Sequence, residues 1–191
     1  QGVRIDWAGQ FKYFERAKSK LIILIPLTLL IIFILLYINH GSMAEAVIIL
    51  LSIPFSLTGA VWLLYALDYN LSIAVWVGMI ALAGLAAEMG VLMMLYLDLS
   101  YQNYKNTTTI VTKSGLTLAI ISGASQRIRP MLMTSLASFI GLLPILWSTG
   151  AGSDVMKRIA APMVGGIISS LLIILVLFPV IYSYWKTWKL K

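Results

Sequence analysis

The chain has 191 residues, of which 60% are hydrophobic and only 11% charged, with a mean hydropathy of +0.94. That balance excludes an ordinary soluble domain and identifies a polytopic membrane protein. The formal charge of +7 does not signal nucleic acid, because Lys and Arg cluster beside the apolar runs, where they meet lipid headgroups, and form no single basic face. The lack of cysteine excludes disulfides, thiolate metal sites and thiol nucleophiles.

In chain order, Val3, Ile5 and Trp7 alternate with Arg4 and Asp6, which predicts a short strand with one buried face. From Gln10 to Lys20, Phe11, Phe14 and Ala17 recur at helical spacing among charges, as in an amphipathic lead-in to a membrane. Residues 1–20 therefore read as the end of an extramembrane domain followed by that lead-in. The start at Gln1, with no Met, reads as a piece of something longer or as a processed or truncated product.

Five apolar runs reach the roughly 17–25 residues that a spanning helix needs, which predicts an all-α transmembrane bundle over 21–191. The expected spans are about 21–38, 46–67, 72–97, 131–147 and 159–184. A tight connection at Asn39, His40, Gly41 and Ser42 separates the first two, and Asp68 to Leu71 forms the next turn. The lone histidine, His40, reads as an interfacial residue, since imidazole metal sites usually include other strong ligands. Pro54 and Gly59 interrupt the second span and mark bends or close packing, which neighbouring membrane helices tolerate; Gly141 and Pro144 lie in the fourth span, and Pro162, Gly165, Gly166 and Pro179 in the fifth. The polar segment 98–130 carries Lys105, Lys113, Arg127 and Arg129, with an amphipathic surface helix expected around Leu116 to Ile121. Asp154 suits the positive end of the last helix dipole, and Trp185 and Trp188 with Lys186, Lys189 and Lys191 form an interfacial anchor. Seven basic residues fall on each side of such a bundle, so charge alone leaves its orientation undecided.

The third span carries the one ionisable residue well inside an apolar run, Glu88. A carboxylate at membrane depth costs about 2.5–3.5 kcal/mol on insertion scales, so it marks function by default. Ala83 with Ala87, and Ala86 with Gly90, follow the small-xxx-small pattern that brings helices close, so Glu88 is expected to face protein or trapped water. The alternative is a structural carboxyl, protonated or hydrogen-bonded between helices. Among nine methionines, Met79, Met89, Met93, Met94 and Met133 read as flexible filler. No nucleophile, base and orienting group cluster, so an enzyme is not expected.

The runs Gly84-Leu85-Ala86-Ala87-Glu88-Met89-Gly90-Val91, Arg127-Ile128-Arg129-Pro130-Met131-Leu132-Met133-Thr134 and Gly141 to Met156 resemble the resistance-nodulation-division (RND) efflux pumps. The continuation Arg158-Ile159-Ala160-Ala161-Pro162-Met163-Val164-Gly165-Gly166 looks like their CusA/CzcA-type heavy-metal branch. The resemblance runs from Asp6-Trp7-Ala8-Gly9-Gln10 to the last helix and matches the carboxyl-terminal end of such pumps, spans eight to twelve.

It implies a bacterial inner-membrane proton antiporter with twelve spans, working as a homotrimer with a periplasmic adaptor and an outer-membrane channel. It also implies a periplasmic amino end, with 98–130 and the carboxyl end cytoplasmic. Glu88 falls where the metal branch carries an acid in its tenth span, which implies a protonation switch, and Thr134 matches a hydroxyl position that joins the relay. The acidic partners of the fourth span lie outside this chain, and Met131 stands where some metal-branch members have lysine. Met156 matches a periplasmic-face methionine of the copper/silver branch, whose thioether suits Cu(I) or Ag(I) as transported metal; no resident cofactor is implied. The competing expectation is a truncated or free-standing small membrane protein that serves as scaffold or partner of a pump, without transport of its own.

Overall fold

The structure is a computed structural model that describes residues 10–107 and 112–189, with the side chains of 15–107 and 112–188. The predicted strand at Val3 to Trp7 lies outside the described residues. Five helices follow one another: α1 (Gln10–His40), α2 (Met43–Ala66), α3 (Ile73–Thr107), α4 (Lys113–Leu146) and α5 (Ser153–Lys189). Each is long and apolar enough to cross a membrane, so the expected five-helix bundle is present. The amphipathic lead-in does not stand apart: it is the first part of α1.

Segment 98–130 differs from expectation. There is no surface-lying helix around Leu116 to Ile121; α3 continues to Thr107, and α4 runs unbroken from Lys113 through Pro130. At about 1.5 Å per residue, helices of 35 and 34 residues exceed the roughly 30 Å hydrocarbon core, so part of each projects beyond it. Small residues explain the departure. Gly123 packs against the α3 backbone at Tyr96, the Ser100 hydroxyl donates to the Ala119 carbonyl at 2.6 Å, and Leu116 and Ile120 become buried in the main core. Apolar residues that read as a membrane-surface face are the inward face of a helical hairpin.

Helix α5 is the centre of the bundle. Its residues enter all three buried clusters: Ile174, Phe178 and Tyr182 in the largest, Ile167 with Ala60 and Leu82, and Ala161 with Leu64 and Val75. It approaches α2 closely, where a Cβ on Gly59 would come within 2.5 Å of the Gly165 carbonyl oxygen. Without side chains the two backbones meet, and the Ser169 hydroxyl donates to the Ser56 carbonyl at 2.7 Å. Helix α1 is peripheral: among its described side chains Leu36 alone is buried, and Ile22, Ile23, Leu30 and Leu35 point outward. In a bilayer such outward apolar side chains meet acyl chains or further helices.

Candidate functional site

The small-residue pattern of α3 divides its faces. Ala86 is fully buried and Gly90 sits against the Phe178 ring of α5, with 3.2 Å left for a Cβ. Glu88, two positions along, therefore points away from α5 and is exposed within the five helices. It lines a pocket of about 250 Å³ between α3 and α4, with Arg127, Thr134, Ser135 and Ser138 as the other polar residues and Leu85, Met89 and Ile167 as apolar wall. The pocket is open to the outside of the bundle on a face that these five helices leave uncovered. Glu88 itself makes no hydrogen bond or ion pair to any described residue.

Thr134 shares the pocket with Glu88, but its hydroxyl is turned back on its own helix, donating to the carbonyls of Pro130 at 3.2 Å and Met131 at 3.1 Å. The carbonyl that Pro130 frees by lacking an N–H lies one turn earlier, and Thr134 adds local support where α4 is interrupted. Ser135 is buried and donates to the Met89 sulfur at 3.2 Å, joining α3 to α4 at the pocket floor.

Three polar residues of the pocket, Arg127, Ser135 and Ser138, were not assigned to a site from sequence. Arg127 brings the positive charge, with its guanidinium carbon 5.8 Å from the centroid of the Tyr96 ring and its buried Nε without a hydrogen-bond partner. Ser138 completes the polar lining. The signal was present in the spacing: Arg127, Thr134 and Ser138 are separated by seven and four residues, which places them on one helical face. Met131 lies outside this set. It is fully buried in the main core, so the cation of the pocket comes from Arg127 and not from position 131.

Met156 stands far along the chain in the first turns of α5, 57% exposed, and does not line the Glu88 pocket. Among the described residues no three His, Asp or Glu side chains gather as a metal site would require. The arrangement brings a carboxylate, a guanidinium and several hydroxyls to one pocket.

Comparison with known proteins bears on the chain as a whole. The model of the AcrB/AcrD/AcrF family matches residues 1–186. The cation efflux system protein CusA of Escherichia coli (strain K12) is 45% identical over 184 residues, which are 95% of this chain and 18% of that protein. The cobalt-zinc-cadmium resistance protein CzcA of Cupriavidus metallidurans is 32% identical over 182 residues, 95% of this chain and 16% of that one. A crystal structure of a heavy metal efflux pump superposes with a TM-score of 0.81 at 30% identity, covering 97% of this chain and 17% of the pump. The chain thus spans less than a fifth of the relatives it matches. With a family model matched over nearly its whole length and heavy-metal efflux proteins as its relatives, the chain belongs to the AcrB/AcrD/AcrF family, in the heavy-metal branch of the RND transporters.

Proposed function

We propose that the chain forms the carboxyl-terminal membrane part of a proton-driven heavy-metal cation exporter, in which Glu88 is the group that gains and loses the proton. The observation that carries this reading is the pocket itself: an unpaired carboxylate at membrane depth beside Arg127, Thr134, Ser135 and Ser138, on a face left open by these five helices. An open, polar face on a membrane bundle fits a partner that covers it, and the remaining spans of the pump chain are the partner that the family relationship supplies. Neutral Glu88 tolerates closure of that face, whereas ionised Glu88 draws Arg127 and water to it, so protonation and helix packing are coupled. Thr134 serves as a hydroxyl of the relay once its bonds to the α4 carbonyls are exchanged.

For the cargo, Met156 supplies a soft thioether at the start of α5, which favours Cu(I) or Ag(I) over harder cations, with its partner ligands from elsewhere in the pump. The assembly that follows is the pump chain as a homotrimer in the bacterial inner membrane, joined to a periplasmic adaptor and an outer-membrane channel. The chemistry is ion and proton movement, with no bond made or broken in a substrate.

The test is Glu88→Gln in the complete pump chain. Metal resistance and metal-dependent proton flux are expected to fall to the level of cells lacking the pump while membrane expression persists. Wild-type efflux in that variant removes Glu88 from the mechanism.

A further inference from the structure

A second group of charges lies away from the Glu88 pocket, where α2 begins and α5 ends. Ser42-Met43-Ala44-Glu45 has the form of a capping box, in which Glu45 would reach back to the backbone at Ser42. It does not act as one: Ser42 makes no side-chain cap bond, and Glu45 is turned into the bundle, 3% exposed. There the Lys186 ammonium stands 3.6 Å from Glu45 Oε1 and 3.3 Å from Asp98 Oδ1, with the lysine side chain 12% exposed. Asp98 is held further by the Tyr182 hydroxyl, which donates to Oδ1 at 2.9 Å, and by the Gln102 amide, which donates to Oδ2 at 2.6 Å.

Aromatic rings close round the lysine. Its ammonium is 4.7 Å from the ring centroids of Tyr101 and Trp185 and 5.0 Å from that of Tyr182, and Tyr182 meets the other two rings edge-on. A surface lysine is a mobile side chain and its ion pairs contribute little. Lys186 is instead walled in by rings and shared by carboxylates on two other helices, so α5 cannot shift against α2 or α3 at this level without separating a buried charge pair.

We propose that Lys186 is a latch, a positioning residue that fixes the separations of α2, α3 and α5 at this end of the bundle: α5 is tied to α2 through Glu45 and to α3 through Asp98. The latch shares α3 with Glu88, but none of Glu45, Asp98 and Lys186 lines the Glu88 pocket, so it is argued from a separate set of contacts. Its consequence is a fixed end, so that helix displacements anywhere in the chain turn about this point.

Spin labels on exposed positions test it in the full-length protein, with Val47 on α2, Leu99 on α3 and Tyr184 on α5 as sites. Measured by electron-electron dipolar spectroscopy, the parent protein should give one narrow distance for Val47–Tyr184 and one for Leu99–Tyr184. Glu45→Gln should broaden the first pair only, Asp98→Asn the second only, and Lys186→Met both, while Lys186→Arg keeps both narrow. Narrow distances in Lys186→Met, or equal broadening of both pairs by each carboxyl variant, overturns the latch. If Lys186→Met does not fold, the two single-carboxyl variants carry the test alone. Loss of efflux in Glu88→Gln leaves these distances untouched, so failure of either proposal is seen separately.

Discussion

Carboxylates in this protein meet two different fates. Asp98 accepts from a phenol, an amide and an ammonium, whereas Glu88 has no partner among the described residues. Its donors tie Asp98 into the contact of α3 with α5, whereas Glu88 lines the open pocket beside α4. Tyr182 tests the first statement. Tyr182→Phe removes one donor to Asp98 without altering the ring packing, and should destabilise the protein by about 1.5–3 kcal/mol, the usual worth of a hydrogen bond to a charged group. Thermal or denaturant unfolding in detergent reads it, and an unchanged midpoint contradicts the assigned bond. Glu88→Gln, by contrast, should leave that midpoint close to the parent while it abolishes transport.

Helix contacts here are set by absent side chains as much as by present ones. Gly59 and Gly165 let the α2 and α5 backbones touch, and the bond from Ser169 to Ser56 depends on that approach. Gly59→Val should push the helices apart and destabilise the bundle by about 1–3 kcal/mol or more, since the added atoms meet the Gly165 carbonyl, which as backbone cannot turn aside, as well as the Ser169 side chain. Unfolding by graded denaturing detergent measures the loss; a stability equal to the parent's contradicts the close contact. Such contacts also mark the limit of what the primary structure discloses. The five apolar runs and the turns at Gly41 and Asp68 were legible, because length and hydropathy fix spans with little help from tertiary structure. Glu88 was legible as a charge out of place. Arg127 was read as a basic residue of a polar segment and as the start of a family-like run, with no place beside Glu88, because that segment was not recognised as one continuous helix; its place there follows once α4 runs through Pro130. Glu45 was overlooked because it falls just before the apolar run, where an acid ordinarily meets headgroups or caps the helix. Only the partner 141 residues later, Lys186, turns it inward.

At the scale of the bundle, burial is unequal. Ile49 on α2 is fully buried in the main core, and Leu30 on α1 is 55% exposed. Ile49→Ala should destabilise by about 2 kcal/mol or more through lost packing, and Leu30→Ala should leave stability near the parent's, because its surroundings are lipid-like in both states. Equal losses from the two, in the same unfolding measurement, contradict the peripheral position of α1.

The presence of α5 in every buried cluster bears on how the molecule is made. A ribosome delivers helices in chain order, so α2 and α3 enter the bilayer before the helix that fills the space between them has been synthesised. Until then the glycine-lined flank of α2 and the carboxylates at Glu45 and Asp98 lack their counterpart, and an insertase or chaperone has a defined surface to shield during that interval. Packing among α2, α3 and α5 is therefore closed late, when α5 arrives between its two predecessors.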